Sequence, residues 1–456
     1  MARADSPSET LEKAIYSEET KGDLDGAMAL YQQVIEQAKT SQALAAQAQY
    51  HLGVCQYKKR NYSAATAAFE AVVKEYPEQK SLVALAREYL ARNSDLLPAP
   101  WADGEEERFS VKLAGGLNVG FGALTADSGE SNGQKIWRLG LLLSAAGSGE
   151  ASRVEVDANT MKPLHSRWKH SLLGDADASY SSDHADVKLA GKEDVKKTSF
   201  DGLVYDNEEG YHLFRRLPLA PGYKSTVNVL SSLGGGAVTP LPVEVTATET
   251  VTVPAGTFPC YKLDLNIGQV FWISTNAPRE IVKIEGGGVI IELTGARRRN
   301  PADAVIYTDP AGFSLTAPPG WLFGTLAQEK THTSVALLDP ELTGTCLLDW
   351  DSLDTVEPKS ATNSVRALVE KETVDAAKKY KNFQVRANGW QEPTVAGHPA
   401  ASAIADYLDG EKPKVAYGVT VIIADHAAAF QFLIPAKDFD AFRPKLDAIV
   451  DSLKMK

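Results

Sequence analysis

Cysteine is scarce: Cys55, Cys260 and Cys346 are the only three in 456 residues. They lie far apart and form no CxxC pair, which excludes a disulfide framework and a zinc-ligand spacing. Free cysteine packs as a small apolar side chain, so three buried free thiols are expected. An excess of positive charge is also missing. The 47 lysines and arginines are outnumbered by 59 aspartates and glutamates, giving a net charge of −12. No large segment is basic, so a nucleic-acid partner is not expected. No stretch approaches the roughly 18 consecutive apolar residues of a membrane span. The sequence also lacks GxSxG, HExxH, P-loop and GxGxxG motifs, so no enzyme is expected and no cofactor is implied. What remains, 44% hydrophobic and 23% charged, is the composition of a folded globular protein.

The chain divides into three segments of different texture, joined at 98–106 and 296–304. Residues 1–97 have no proline from Ser8 to Tyr76 and are rich in alanine, leucine, glutamate and glutamine, which predicts helices. The run Ala48-Gln49-Tyr50-His51-Leu52-Gly53 continues through Tyr57, Asn61-Tyr62, Ala65 and Phe69 to Pro77. This pattern resembles a tetratricopeptide repeat, with small Gly53 and Ala65 allowing two antiparallel helices to approach closely. A weaker copy holds Gly22-Asp23, Ala27 and Tyr31, and Ser81–Asn93 is expected to close the array. The resemblance implies a groove for a protein or peptide partner, with Gln49, Gln56 and Lys59 as its expected lining.

Residues 98–300 alternate in period two. Leu139, Leu141 and Leu143 are separated by Gly140 and Leu142, and Leu263 and Leu265 by Asp264. Such alternation predicts half-buried antiparallel strands, about ten of them, in a large curved sheet or open barrel. The passages Val251–Lys262, Phe271-Trp272-Ile273-Ser274 and Ser152–Val156 are similar to β-rich bacterial envelope proteins related in fold to lipoprotein carriers. That likeness implies a fold without catalytic residues. A curved sheet also raises a second reading, a carrier of an apolar small molecule lined by Trp137, Leu139, Leu141, Leu263 and Leu265.

Residues 301–456 contain Gly312-Phe313-Ser314, Pro319-Gly320-Trp321, a helix expected near Asn363–Lys381, strands at Ala416–Ala424 and Ala428–Ile434, and a last helix Phe439–Leu453. This order resembles the PsbP-like α+β fold. The whole is therefore expected to be multidomain: α, then β, then α+β, with helical-repeat hairpins first and an antiparallel sheet with packed helices last.

Other residues invite chemistry, and each has a structural alternative. His165 and His170 stand five apart on an expected strand, so they face opposite sides and cannot share a metal. Asp175, Asp177, Ser179, Asp183 and Asp186 fall at calcium-loop spacing, but Tyr180 replaces the turn glycine and Asp186 the bidentate glutamate. A hairpin explains the same residues. Arg215-Arg216 and Arg297-Arg298-Arg299 could hold an anionic partner or form solvated faces. Trp321, Trp350 and Trp390 could line a pocket or pack a core. Asp349 and Asp351 share a strand face, where Leu347 and Leu348 beside them suggest an edge rim over an acid–base pair. An enzyme with no recognisable motif remains a third alternative. The leading expectation is a non-catalytic binding or scaffold protein, periplasmic or secreted, with Ala2-Arg3-Ala4 in the small-x-small form that precedes signal-peptidase cleavage.

Overall fold

The structure, a computed structural model, describes residues 6–38, 41–59, 61–90, 96–232, 234–355 and 364–455. The Ala2-Arg3-Ala4 segment and Asn93 lie outside these residues.

The chain opens with antiparallel helices. Helix α1 (Pro7–Tyr16) starts at a capping box, in which Ser6 and Glu9 each accept the other's backbone N–H. A π-helical turn at Ser17–Lys21 ends at Gly22, φ +67°, where a left-handed backbone favours glycine. Helices α2 (Leu24–Gln37), α3 (Gln42–Lys58), α4 (Tyr62–Glu75) and α5 (Lys80–Arg87) follow. The closing helix is thus shorter than the sequence pattern suggests. A Cβ on Gly53 would stand 2.7 Å from the Phe69 ring, so α3 and α4 approach this closely only because position 53 has no side chain. Phe69 in turn stacks on Tyr89 at 4.3 Å.

A fifteen-stranded sheet follows. It begins as a meander of β1 (Glu105–Leu113), β2 (Asn118–Ser131), β3 (Gln134–Ala145), β4 (Ser148–Asp157), β5 (Pro163–His170), β6 (Gly174–Tyr180), β7 (His184–Leu189) and β8 (Val195–Ser199). The second half contains β9 (Tyr205–Asp206), helix α6 (Gly210–Arg216), β10 (Lys224–Ser231), β11 (Ala237–Val253), β12 (Gly256–Asp264), β13 (Val270–Ser274), β14 (Ile281–Gly286) and β15 (Val289–Arg298). Strand order runs from β8 through β1 to β15 and on to β9, with β8 and β9 as the two edges. The sheet is therefore open, and antiparallel apart from the parallel β9–β10 pair. Two of the strands beyond the ten expected, β6 and β7, bury alanines: Ala176, Ala178 and Ala185. Alanine is a poor strand former and does not advertise the alternation.

The inner face is filled by the chain itself, which corrects the carrier reading. Leu139, Leu141, Leu263 and Leu265 form one core with Leu213, Phe214 and Leu217 on and beside α6, and Trp137 packs at its border. The residues proposed to line a ligand cavity instead hold a helix.

The last segment pairs β16 (Val305–Thr308) and β17 (Phe313–Ala317) with the terminal β26 (Lys454–Met455) in a small sheet. An eight-stranded sheet holds β18 (Leu322–Gln328), β19 (His332–Leu338), β20 (Thr345–Ser352), β21 (Lys381–Val385), β23 (His398–Asp409), β24 (Lys412–Ile423) and β25 (His426–Pro435), with β22 (Thr394–Val395) pairing β23 off the main path. Helix α8 (Phe439–Asp451) buries Phe442, Leu446 and Ile449 against one face. Helix α7 (Val365–Lys379) covers Ala401 and Ala403 on the other through Val369. Asn363, expected in that helix, lies outside the described residues. The two large sheets meet where Phe121 of β2 sits over Gly324 of β18; a Cβ there would lie 1.9 Å from the ring.

Candidate functional site

The helical segment is the part of the chain for which the sequence makes a partner-binding claim. Its first hairpin is organised by a buried carboxylate. Glu18, 2% exposed, accepts hydrogen bonds from Tyr31 Oη at 2.7 Å and Lys58 Nζ at 2.7 Å, and His51 Nδ1 lies at 3.0 Å. Burial alone would raise this carboxyl, but the bonds from His51, Lys58 and Tyr31 outweigh it and hold its pKa at about 2. Cys55 is buried nearby, its thiol pushed up to about 12 by burial and by Glu18. All three cysteines are free and buried.

Gln49, Gln56 and Lys59 each have a partner within the protein. Gln49 Nε2 donates to the Ala68 carbonyl of α4 at 3.3 Å. Gln56 Oε1 accepts from Asn61 Nδ2 at the α3–α4 turn, 2.9 Å away. Lys59 pairs with Asp25 at the start of α2. Each of the three ties helices together. The face of α3 one step round carries Tyr50, Val54 and Tyr57 at helical spacing, all half-buried. Tyr57 meets Tyr89 edge-on at 5.1 Å, and Tyr50 lies 5.9 Å from Phe69. Ala43 and Gln47 extend this stripe toward the start of α3, Ala43 exposed and Gln47 half-buried. The helices meet the large sheet through α4, which packs on β11. The seven-residue spacing of Tyr50 and Tyr57 was the available signal for this stripe.

The other sequence candidates are placed as follows. His165 Nε2 pairs with Asp177 at 3.1 Å, while His170 stacks on Trp168. Asp175 and Asp177 lie on β6 and Asp186 on β7, so the acidic run is a hairpin and not a loop. Trp321 and Trp350 belong to the C-terminal core, stacked on Phe442 and Phe313. Trp390 lies against the Arg366 guanidinium at 3.8 Å. Asp349 accepts from Ser334, and Asp351 pairs with His332. Their strand, β20, lies between β19 and β25; it is an inner strand, not the expected edge.

Arg215 and Arg216 correct the reading of that pair as an anion site or solvated face. They are 1% and 3% exposed. Arg215 pairs with Glu105 at 2.7 Å and Glu107 at 3.3 Å and donates to the carbonyls of Pro278 and Arg279. Arg216 donates to the carbonyls of Leu97, Ala158 and Asn159. Together they fasten α6 to β1 and to the connection leading from the helices.

The core of the sheet also holds acids that prefer their protons. Burial, against the opposing Arg215, pushes Glu107 up to about 7. Burial and the neighbouring Asp206 push Glu208 up to about 8. A carboxyl whose folded pKa lies above its unfolded value contributes stability that is complete below about pH 4.5 and lost as pH rises through the folded pKa. Thermal melting is therefore expected to come earlier at pH 8 than at pH 5, and Glu208→Gln, which cannot ionise, should flatten the decline. A melting temperature that climbs between pH 5 and 8 would refute this.

Between the outer face of the large sheet and the last segment runs a cleft of about 1040 Å³. Arg297, Arg298 and Arg299 line one end, where Arg297 and Arg299 pair with Glu106 and Arg299 also with Asp127. The run is thus half-neutralised within the protein. Among the described residues no helix is long and apolar enough to cross a membrane, and no group of histidine, cysteine, aspartate and glutamate stands where it could hold a metal ion.

Comparison with known proteins matches two parts of the chain to families. Residues 47–78 match the tetratricopeptide-repeat family, and residues 108–293 match DUF3108, a protein family of unknown function. No curated protein matches the chain. Similar solved structures include cyanobacterial PsbP from Synechocystis sp. PCC 6803, at 13% identity and TM-score 0.29, covering 34% of this chain and 95% of that one. LpqN, involved in cell envelope biogenesis of Mycobacterium tuberculosis, aligns at 12% identity and TM-score 0.21, over 34% of this chain and 86% of its own. A Bacteroides fragilis protein with a YmcC-like fold aligns at 15% identity and TM-score 0.18, over 44% and 99%.

Proposed function

We propose that this is a non-catalytic binding or scaffold protein of the bacterial envelope that takes a partner protein or peptide on the α3–α5 face of its helical repeat. The observation that carries this reading is the half-buried tyrosine row Tyr50, Tyr57 and Tyr89, on a unit that meets the large sheet through a different helix, α4. Tyrosine is enriched at protein interfaces because it offers a large rigid area with a polar tip. The raised carboxyls support the non-catalytic part, since Glu107 and Glu208 are 1% and 7% exposed and serve the core. Export rests on the likeness of the sheet's sequence to envelope proteins. The Gly312–Trp321 pattern and the covering helix α8 support a PsbP-like last domain.

Blocking the stripe without disturbing its packing tests the reading. Ala43→Arg with Gln47→Arg places two long cations on it, and Glu36→Arg on α2 serves as control. Proteins co-purifying with the full chain from native cells are expected to include one whose yield drops at least about ten-fold in the double variant alone. The same co-purifying set from all three chains would refute the proposal.

A further inference from the structure

The other end of the interdomain cleft carries three cations, Arg153, Arg167 and Lys169, with Asp177 and Asp175 across from Arg167 and Lys169 on β6 and one ion pair among them, Arg167–Glu341. Strands β4 and β5 place Arg153 directly opposite Arg167, and Lys169 follows two residues on, on the same face of the sheet. All three line the cleft. Like charges directly opposite on paired strands destabilise a sheet. Among the described residues Arg153 has no hydrogen-bond or ion-pair partner, and Lys169 has none within ion-pair distance. Arg167 has one partner, Glu341 of the last domain, at 3.1 Å and with both side chains about half exposed. A bridge of that kind is weak and displaceable. On the other flank of Arg153 stands Gly140, over which the Thr125 hydroxyl packs, while Leu142 and Pro340 give the cleft an apolar wall.

We infer that this end of the cleft is a binding site for a small organic anion, a phosphate monoester, with its phosphate between Arg153 and Arg167 near Lys169 and its body against Leu142 and Pro340. Arg153 and Lys169 have no ion-pair partner among the described residues, two cations for a dianionic phosphate, and guanidinium forks suit its oxygens. At the opposite end Glu106 pairs with Arg297 and Arg299, Asp127 pairs with Arg299, and Arg298 donates to the Asp103 carbonyl, so each of those arginines already has a partner, whereas Arg153 has none among the described residues. Because Pro340 belongs to the last domain, a ligand held by Arg153 and resting on Pro340 would touch both domains and displace Glu341 from Arg167. This inference is independent of the helical-repeat reading and stands or falls by itself.

The test is a calorimetric titration of the full chain with three probes: phenyl phosphate, benzoate and phenol. Phenyl phosphate is expected to saturate one site, benzoate to bind about ten-fold more weakly, and phenol not to bind. A benzoate affinity equal to that of phenyl phosphate would assign the site to carboxylates and overturn the phosphate assignment. Arg153→Gln, at an exposed position, should weaken phenyl phosphate about ten-fold or more with an unchanged melting temperature. Lys196→Gln, on the exposed edge strand β8, should leave binding unchanged. Absence of saturable binding, or equal weakening by both substitutions, would overturn the site.

Discussion

Replacing Arg215 by alanine is expected to destabilise the fifteen-stranded unit by about 3–5 kcal/mol, the cost of removing one partner from a buried ion pair. The guanidinium is 1% exposed, and its loss strands Glu105 and Glu107 in the core together with the carbonyls of Pro278 and Arg279. Glu107, already pushed up to about 7, would keep its proton to still higher pH. The Trp101 ring, 5.3 Å from the guanidinium, loses its cation as well. Replacing the whole ionic group with apolar or neutral side chains of similar size is often close to neutral. The triple variant Arg215→Met, Glu105→Gln, Glu107→Gln should therefore recover much of the loss. Urea unfolding followed by tryptophan fluorescence measures both. A single variant within about 0.5 kcal/mol of the native chain would show that the ion pair does not hold α6 in place.

The second large effect belongs to Glu18. Glu18→Ala removes an acceptor shared by Tyr31, His51 and Lys58 and leaves the buried Tyr31 hydroxyl without it. Hydrogen bonds to a charged group contribute about 1.5–3 kcal/mol each and do not add fully, so about 3 kcal/mol is expected. In a short repeat array, where each hairpin relies on its neighbour, that is enough to open α1 to α3. Amide exchange across residues 7–58 should accelerate about a hundred-fold, while the C-terminal sheet keeps its protection. Uniform exchange across the chain would contradict a local role. Acid acts on the same group: its folded pKa is depressed, so its contribution is complete above about pH 4.5 and lost as pH falls through about 2.

Local rules made parts of this architecture readable. Leu52-Gly53, Ala65 and Phe69 announced a helical hairpin because close helix approach demands small residues at fixed spacing, and Gly53 does face Phe69. The leucine alternation of β3 and β12 announced strands whose one face is buried. What stayed hidden depends on distance along the chain. Arg215 looks like half of a solvated basic pair until Glu105, 110 residues away, is brought against it. The Arg153–Arg167 juxtaposition appears only once β4 and β5 are in register. Gln49 seemed to line a groove because it is polar and helical, yet its amide reaches α4. One residue, about 100° of helix rotation, separates it from Tyr50, and polarity alone could not choose between the two faces.

The central claim, that the α3–α5 face receives a partner, is tested most directly by photo-cross-linking in native cells. A photoreactive phenylalanine analogue at Gln47, on the tyrosine stripe, is compared with the same residue at Glu36 on α2. The account predicts a discrete adduct with a second protein from position 47 and none from position 36. Equal adducts from both positions, or adducts from position 47 only to the protein's own sheet strands, would contradict it.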